Sequence, residues 1–184
     1  MGKLLLLILV LVAPVHVCAA YETSYVQQLR GLAVQGDGES QFALALLYEH
    51  GEQGVTRDPE QATALFLQAG KAGIAGACLY LGIKYENGSG VVKNQAEAAR
   101  WYCCAATKDW AMAQFFLAGL YEKGKGVDKD KIKALAWYGL AEEQGYPGAR
   151  EAMTRLTDEM SAAEREETVR LRSRHQFTEN CSGL

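Results

Sequence analysis

Residues 74–109 read IAGACLYLGIKYENGSGVVKNQAEAARWYCCAATKD. The stretch opens with a run from about Ala75 to Glu86 whose apolar positions, Leu79, Leu81 and Ile83 with Tyr85, suit a helix contacted on several sides. Gly88 and Gly90 break it, because only glycine takes up a left-handed backbone cheaply. Asn94 is a good N-cap for a second helix. That helix carries Ala98, Trp101, Tyr102, Ala105 and Ala106, an apolar stripe at helical spacing. The unit therefore reads as two helices, A and B, joined by a glycine turn.

The unit recurs with a period near 36 residues. Tyr85-Glu86-Asn87-Gly88 has counterparts in Tyr48-Glu49-His50-Gly51 and Tyr121-Glu122-Lys123-Gly124. Asp58, Asn94 and Asp130 share one register, as do Ala62, Ala98 and Ala134. Leu65-Phe66 and Trp137-Tyr138 stand where the middle copy has Trp101-Tyr102. The first loop holds one extra residue, which a loop between helices absorbs at little cost. Such registered copies predict an all-α solenoid of antiparallel helix pairs. The spacing predicts repeats over 37–73, 74–109 and 110–145, preceded by a leading helix within 21–36. A partial repeat and a charged capping helix, opened by the capping box Ser161-Ala162-Ala163-Glu164, follow over 146–175. Residues 176–184 read as a polar tail.

The matching positions resemble the Sel1-like repeat family, a relative of the tetratricopeptide repeats. The likeness in the second unit is carried by Ala77, Leu81, Gly82, Tyr85, Gly88, Gly90, Val91, Ala98, Trp101, Tyr102, Ala105 and Ala106, and the third unit repeats it. The first unit departs from it, with Ser40 at the leading alanine and Leu65-Phe66 at the Trp-Tyr site. The resemblance implies an α-solenoid acting as an adaptor in protein complexes, and an exported bacterial protein. A cysteine-rich branch of the family joins its helices by disulfides with seven residues between partners. Cys78 sits at one such position, but its partner position holds Gly70, so that regular stitch is absent.

The chain has 184 residues, 49% of them hydrophobic and 22% charged, enough to bury a core. The formal net charge of −3 argues against nucleic acid as a partner, since phosphate binding needs a basic face. Lys3, the apolar run Leu4 to Val15 and the small residues Ala19 and Ala20 have the layout of a secretory signal peptide over 1–20, cleaved near Ala19 or Ala20. The run is too short to span a membrane, and no later segment is long and apolar enough. A lipoprotein acylated at Cys18 is the rival; Val15-His16-Val17 lacks the small residue that such a site carries. The expected location is periplasmic or secreted. There Cys78, Cys103, Cys104 and Cys181 are candidates for disulfides, with three connectivities open.

No cofactor, metal set or catalytic constellation is expected. Cys103-Cys104 lacks Cys-x-x-Cys spacing, and His50 and His175 stand alone. Glu49, Glu86 and Glu122 recur in every repeat and read as a solvated helix end. Positions that the repeat leaves free define a candidate protein-binding groove on the helix A face: Tyr80, Ile83, Glu86, Asn87, Met112, Phe116, Glu122 and Lys123. Tyr80 and Phe116 are its aromatic anchors, with core packing as the competing role for both rings. The expected partner is a protein or peptide. The alternative is a cell-wall or β-lactam-related ligand, bound or hydrolysed, which rests on export and on the resemblance alone.

Overall fold

The computed structural model describes residues 23–173; the expected signal peptide over 1–20, the expected tail over 176–184 and Cys181 lie outside them. The described residues form helices without strands: α1 (Ser24–Val34), α2 (Gly38–His50), α3 (Pro59–Lys71), α4 (Ala75–Asn87), α5 (Gln95–Ala106), α6 (Ala111–Lys123), α7 (Lys131–Glu143), α8 (Ala149–Asp158) and α9 (Ala162–Ser173). Helices α2, α4 and α6 are the A helices of the three repeats, and α3, α5 and α7 their B partners. Contacts run between successive helices and are densest within each A–B pair, so the architecture is a helical solenoid. At the C-terminal end α9 turns back onto α7 and covers it.

The A–B turn is built the same way three times. Gly51, Gly88 and Gly124 end the A helices in the left-handed region, at φ 73°, 79° and 65°. Their N–H groups donate to the carbonyls of Leu47, Lys84 and Leu120, which the helix would otherwise leave without a donor. The next helix opens on Asp58, Asn94 or Asp130, each accepting backbone N–H bonds through its side chain. The cap's own N–H donates to the carbonyl of Tyr48, Tyr85 or Tyr121 at 2.8, 2.9 and 2.9 Å. These bonds fasten the end of helix A to the start of helix B. The extra residue of the first loop is taken up at Gln53 and Gly54, both at positive φ, and leaves the bonds intact.

Small residues set how closely the pair can pack. Tyr102 is fully buried against Gly82, where a Cβ would lie 2.4 Å from the ring. The ring and a side chain at 82 therefore exclude each other. Ala62, Ala98 and Ala134 are all fully buried.

A second device joins each A helix to the helix before it. Buried Gln41 donates from Nε2 to the carbonyl of Ala33 at 3.1 Å, and buried Gln114 does the same to Ala106 at 3.2 Å. Each is a second donor to a helix-end carbonyl that also accepts a backbone N–H just beyond the helix, from Gly36 or Asp109. The middle repeat has Cys78 in that register. Its Sγ lies 3.7 Å from the carbonyl of Gly70. This is a contact rather than a hydrogen bond, because Cys78 is joined to Cys104 and its sulfur carries no proton. The disulfide links α4 to α5 across a Cα–Cα distance of 5.9 Å. Cys103, almost wholly buried, is also disulfide-bonded.

Closing a loop of this length favours the folded state chiefly by restricting the unfolded chain. Replacing Cys78 and Cys104 together by Ala is expected to lower stability by about 3 kcal/mol while leaving helix content unchanged. Urea unfolding followed by circular dichroism measures both.

Candidate functional site

The last turn of each A helix carries a glutamate, and its surroundings differ from one repeat to the next. In the second repeat the Tyr102 hydroxyl donates to Glu86 Oε2 at 2.6 Å. In the third the Tyr138 hydroxyl donates to Glu122 Oε2 at 2.8 Å. Burial, reinforced by the carboxylate that each faces, pushes both phenols well above their ordinary range, so they remain donors. In the first repeat Phe66 occupies the tyrosine register and has no hydroxyl to offer. Glu49 turns instead to Lys84 of the next A helix, in an ion pair at 2.7 Å. The contact is electrostatic rather than a directed hydrogen bond. The Lys84 ammonium is nearly sealed from solvent and lies 5.9 Å from the centre of the Phe66 ring.

Glu122 has a cationic partner as well. Arg155 of α8 donates to its Oε1. This bond, helped by the Tyr138 hydroxyl and opposed by burial, holds the Glu122 carboxyl below its usual value. Glu86 receives no such cation from the following helix. The residue in register with Lys84 is Leu120, and the residue in register with Arg155 is Gly119. A Cβ added at Gly119 would meet only the Tyr138 hydroxyl, 3.5 Å away.

Beside Glu86 and Gly119 opens a cavity of about 370 Å³ that runs along α6 to α8. Glu86, Phe116, Gly119, Glu122, Lys123 and Arg155 line it, with Lys125 and Tyr138 beside them. Phe116 is half-buried, its ring 5.3 Å from Tyr102 and 6.1 Å from Phe115. One wall is thus aromatic and the rim is charged.

Four sequence candidates, Glu86, Phe116, Glu122 and Lys123, meet here. Tyr80 does not line this cavity: its ring stacks on Phe66 at 5.0 Å and meets Phe42 at 6.0 Å, filling space between the first two repeats. Ile83 packs on the core, Asn87 is exposed at the end of α4, and Met112 is exposed at the start of α6. The row of glutamates is not a solvated helix end. Each carboxylate is half-buried and tied to a tyrosine hydroxyl, to a cation or to both. The two bonded pairs are 16 residues apart in both repeats, a spacing that the sequence displays once the pairing is known. Gly119, Lys125 and Arg155 carry no motif. Among the described residues no group of three His, Cys, Asp or Glu side chains is placed to hold a metal. Nor is any described helix long and apolar enough to cross a membrane.

The Sel1 repeat family model matches residues 38–74, 75–110 and 111–146. A crystal structure of a Sel1 repeat protein from Oxalobacter formigenes is 32% identical, covering 72% of this chain and 99% of that one with a TM-score of 0.68. A protective antigen present in uropathogenic Escherichia coli strains, which displays an SLR fold, superposes with a TM-score of 0.61 at 22% identity. That match covers 85% of this chain and 42% of the antigen, and it speaks to fold alone. No curated protein matches this sequence.

Because Glu122 has a depressed folded-state pKa, its ion pair stabilises the fold above the unfolded carboxyl value of about 4.5, and that contribution is lost as pH falls through the folded value. Arg155 is partly exposed and screened. Glu122→Gln is expected to cost about 1 kcal/mol at neutral pH. Urea midpoints should show the gap to wild type closing as pH falls below about 4.5; a gap independent of pH would contradict the assignment.

Proposed function

The chain belongs to the Sel1 repeat family, and from that membership we propose that it is an exported adaptor, without a catalytic role, that binds a protein or peptide segment along its A helices. Sel1 repeat proteins are generally protein-interaction scaffolds. The observation that carries the reading for this chain is the cavity along α6, between the end of α4 and α8. It combines the Phe116 ring with the charged groups Glu86, Lys123 and Arg155. An apolar anchor site with a polar rim is the arrangement by which interfaces gain both affinity and register. Export is supported by the apolar run Leu4 to Val15 followed by Ala19 and Ala20, which lies outside the described residues. The Cys78–Cys104 disulfide is compatible with an oxidising compartment.

The partner docks an extended or helical segment, with one side chain entering the cavity and the backbone crossing the ends of α4 and α6. Three repeats offer a short surface, so affinity depends on the quality of that one anchor.

Photo-crosslinking in the native host tests this. A photoreactive phenylalanine analogue replaces Phe116, and a control probe replaces Val169, which is 67% exposed on α9. One dominant protein adduct at 116, absent at 169, is the expected result. Adducts to wall glycan alone, or no protein adduct at 116, would overturn the reading.

A further inference from the structure

The three glutamate joints differ in one component. At the joint between the first and second repeats, Lys84 brings an ammonium to Glu49 beside the Phe66 ring. Between the third repeat and α8, Arg155 brings a guanidinium to Glu122 beneath the Tyr138 hydroxyl. Between the second and third repeats, Glu86 has the tyrosine hydroxyl and an aromatic neighbour in Phe116, but Gly119 and Leu120 supply no charge. The space beside Glu86 that a long basic side chain fills at the other joints is open here, and it forms one end of the cavity of about 370 Å³ that runs along α6 to Arg155.

We infer that this cavity takes a basic side chain, lysine or arginine, from a peptide segment of the partner protein, completing from outside the joint that Lys84 and Arg155 complete from within. The inference rests on the adaptor reading above and names its anchor. The ammonium or guanidinium meets the Glu86 oxygen that does not receive Tyr102, and the aliphatic stem lies along Phe116 in the space that Gly119 leaves.

The other charges around the cavity narrow the partner further. Arg155 is engaged by Glu122. Lys123 and Lys125 stand exposed at the rim, and neither is ion-paired with Glu86. They repel a run of basic residues and attract carboxylates. The segment that fits is therefore an isolated basic residue flanked by acidic ones, with the base inside and the acids at the lysine rim. An acidic side chain in the cavity would be set directly against Glu86, the carboxylate there with no cationic partner among the described residues.

The probe is a set of N-acetylated, C-amidated pentapeptides with lysine at the centre, aspartate on both sides and randomised ends. A matched set carries norleucine at the centre, which keeps the stem and removes the charge. Backbone amide resonances of the full chain are followed by NMR during titration. The lysine set is expected to shift the Gly119 and Phe116 amides saturably, with the norleucine set and the Glu86→Gln variant each weakening binding about tenfold. Equal shifts from both sets would overturn the basic anchor while leaving an apolar groove. No shift at Gly119 from either set would also overturn it. The adaptor reading is decided separately by the crosslink at 116, repeated in Glu86→Gln. A partner captured equally by both forms sinks the basic anchor alone, whereas no capture by wild type sinks the adaptor reading.

Discussion

The hydrogen bond from a helix B tyrosine to the glutamate that closes helix A is the interaction on which the rest of the arrangement turns. Tyr102 reaches Glu86 and Tyr138 reaches Glu122 by the same path. Each bond fixes the last turn of helix A against its partner and satisfies a hydroxyl that burial would otherwise leave without an acceptor. At Glu122 the second carboxylate oxygen is then taken by Arg155 of the following helix. The close packing of Tyr102 on Gly82 makes this reach possible, because a side chain at 82 would push the ring away. Where the hydroxyl is missing, at Phe66, the glutamate is held by the neighbouring repeat instead.

The glutamate is thus both the lock within a repeat and the socket for the next. A solenoid has few long-range contacts, so its stability is a sum of such local units and their joints. The chain reinforces the middle unit covalently, with Cys78–Cys104 standing where its neighbours use a buried glutamine. At the C-terminal end, α9 closes the stack by folding over α7, with Arg172 lying on Gly139 and paired with Glu143. The one joint left without an internal cation lies between two well-fastened units. The cavity beside it has one wall of packed rings, Phe115, Phe116 and Tyr138, and a wall already in place favours binding because less order must be gained when a partner enters.

Much of the fold was legible in the sequence because its signals are local. The glycine stops, the Asp58, Asn94 and Asp130 caps and the alanine register each act within a few residues of where they are read. The 36-residue period then supplied the stacking without any knowledge of contacts. The site was legible only in part. Glu86 and Glu122 recur at the end of helix A, Phe116 and Lys123 fall on its variable positions, and all four could be nominated by register. Nothing local says that Glu86 faces a tyrosine on another helix, so its row read as solvated. Tyr80 and Phe116 share a register yet have different neighbours, because the helix B ring beside Tyr80 is Phe66 and the one beside Phe116 is Tyr102. Gly119 carries no motif, and its meaning depends on Arg155, which lies in the divergent final unit where the register is hardest to follow.

The central claim is that the joint at Glu86 lacks a cation that its two counterparts possess. A double-mutant cycle between Glu86→Gln and Gly119→Arg tests it most directly, read as urea unfolding free energies of the four proteins. The new arginine stands in register with Arg155 and also gains helix propensity, an effect that the cycle subtracts. The account predicts that Gly119→Arg stabilises the protein by about 1 kcal/mol more with Glu86 present than with Gln in its place. Additive effects, with no coupling between the two positions, would contradict it.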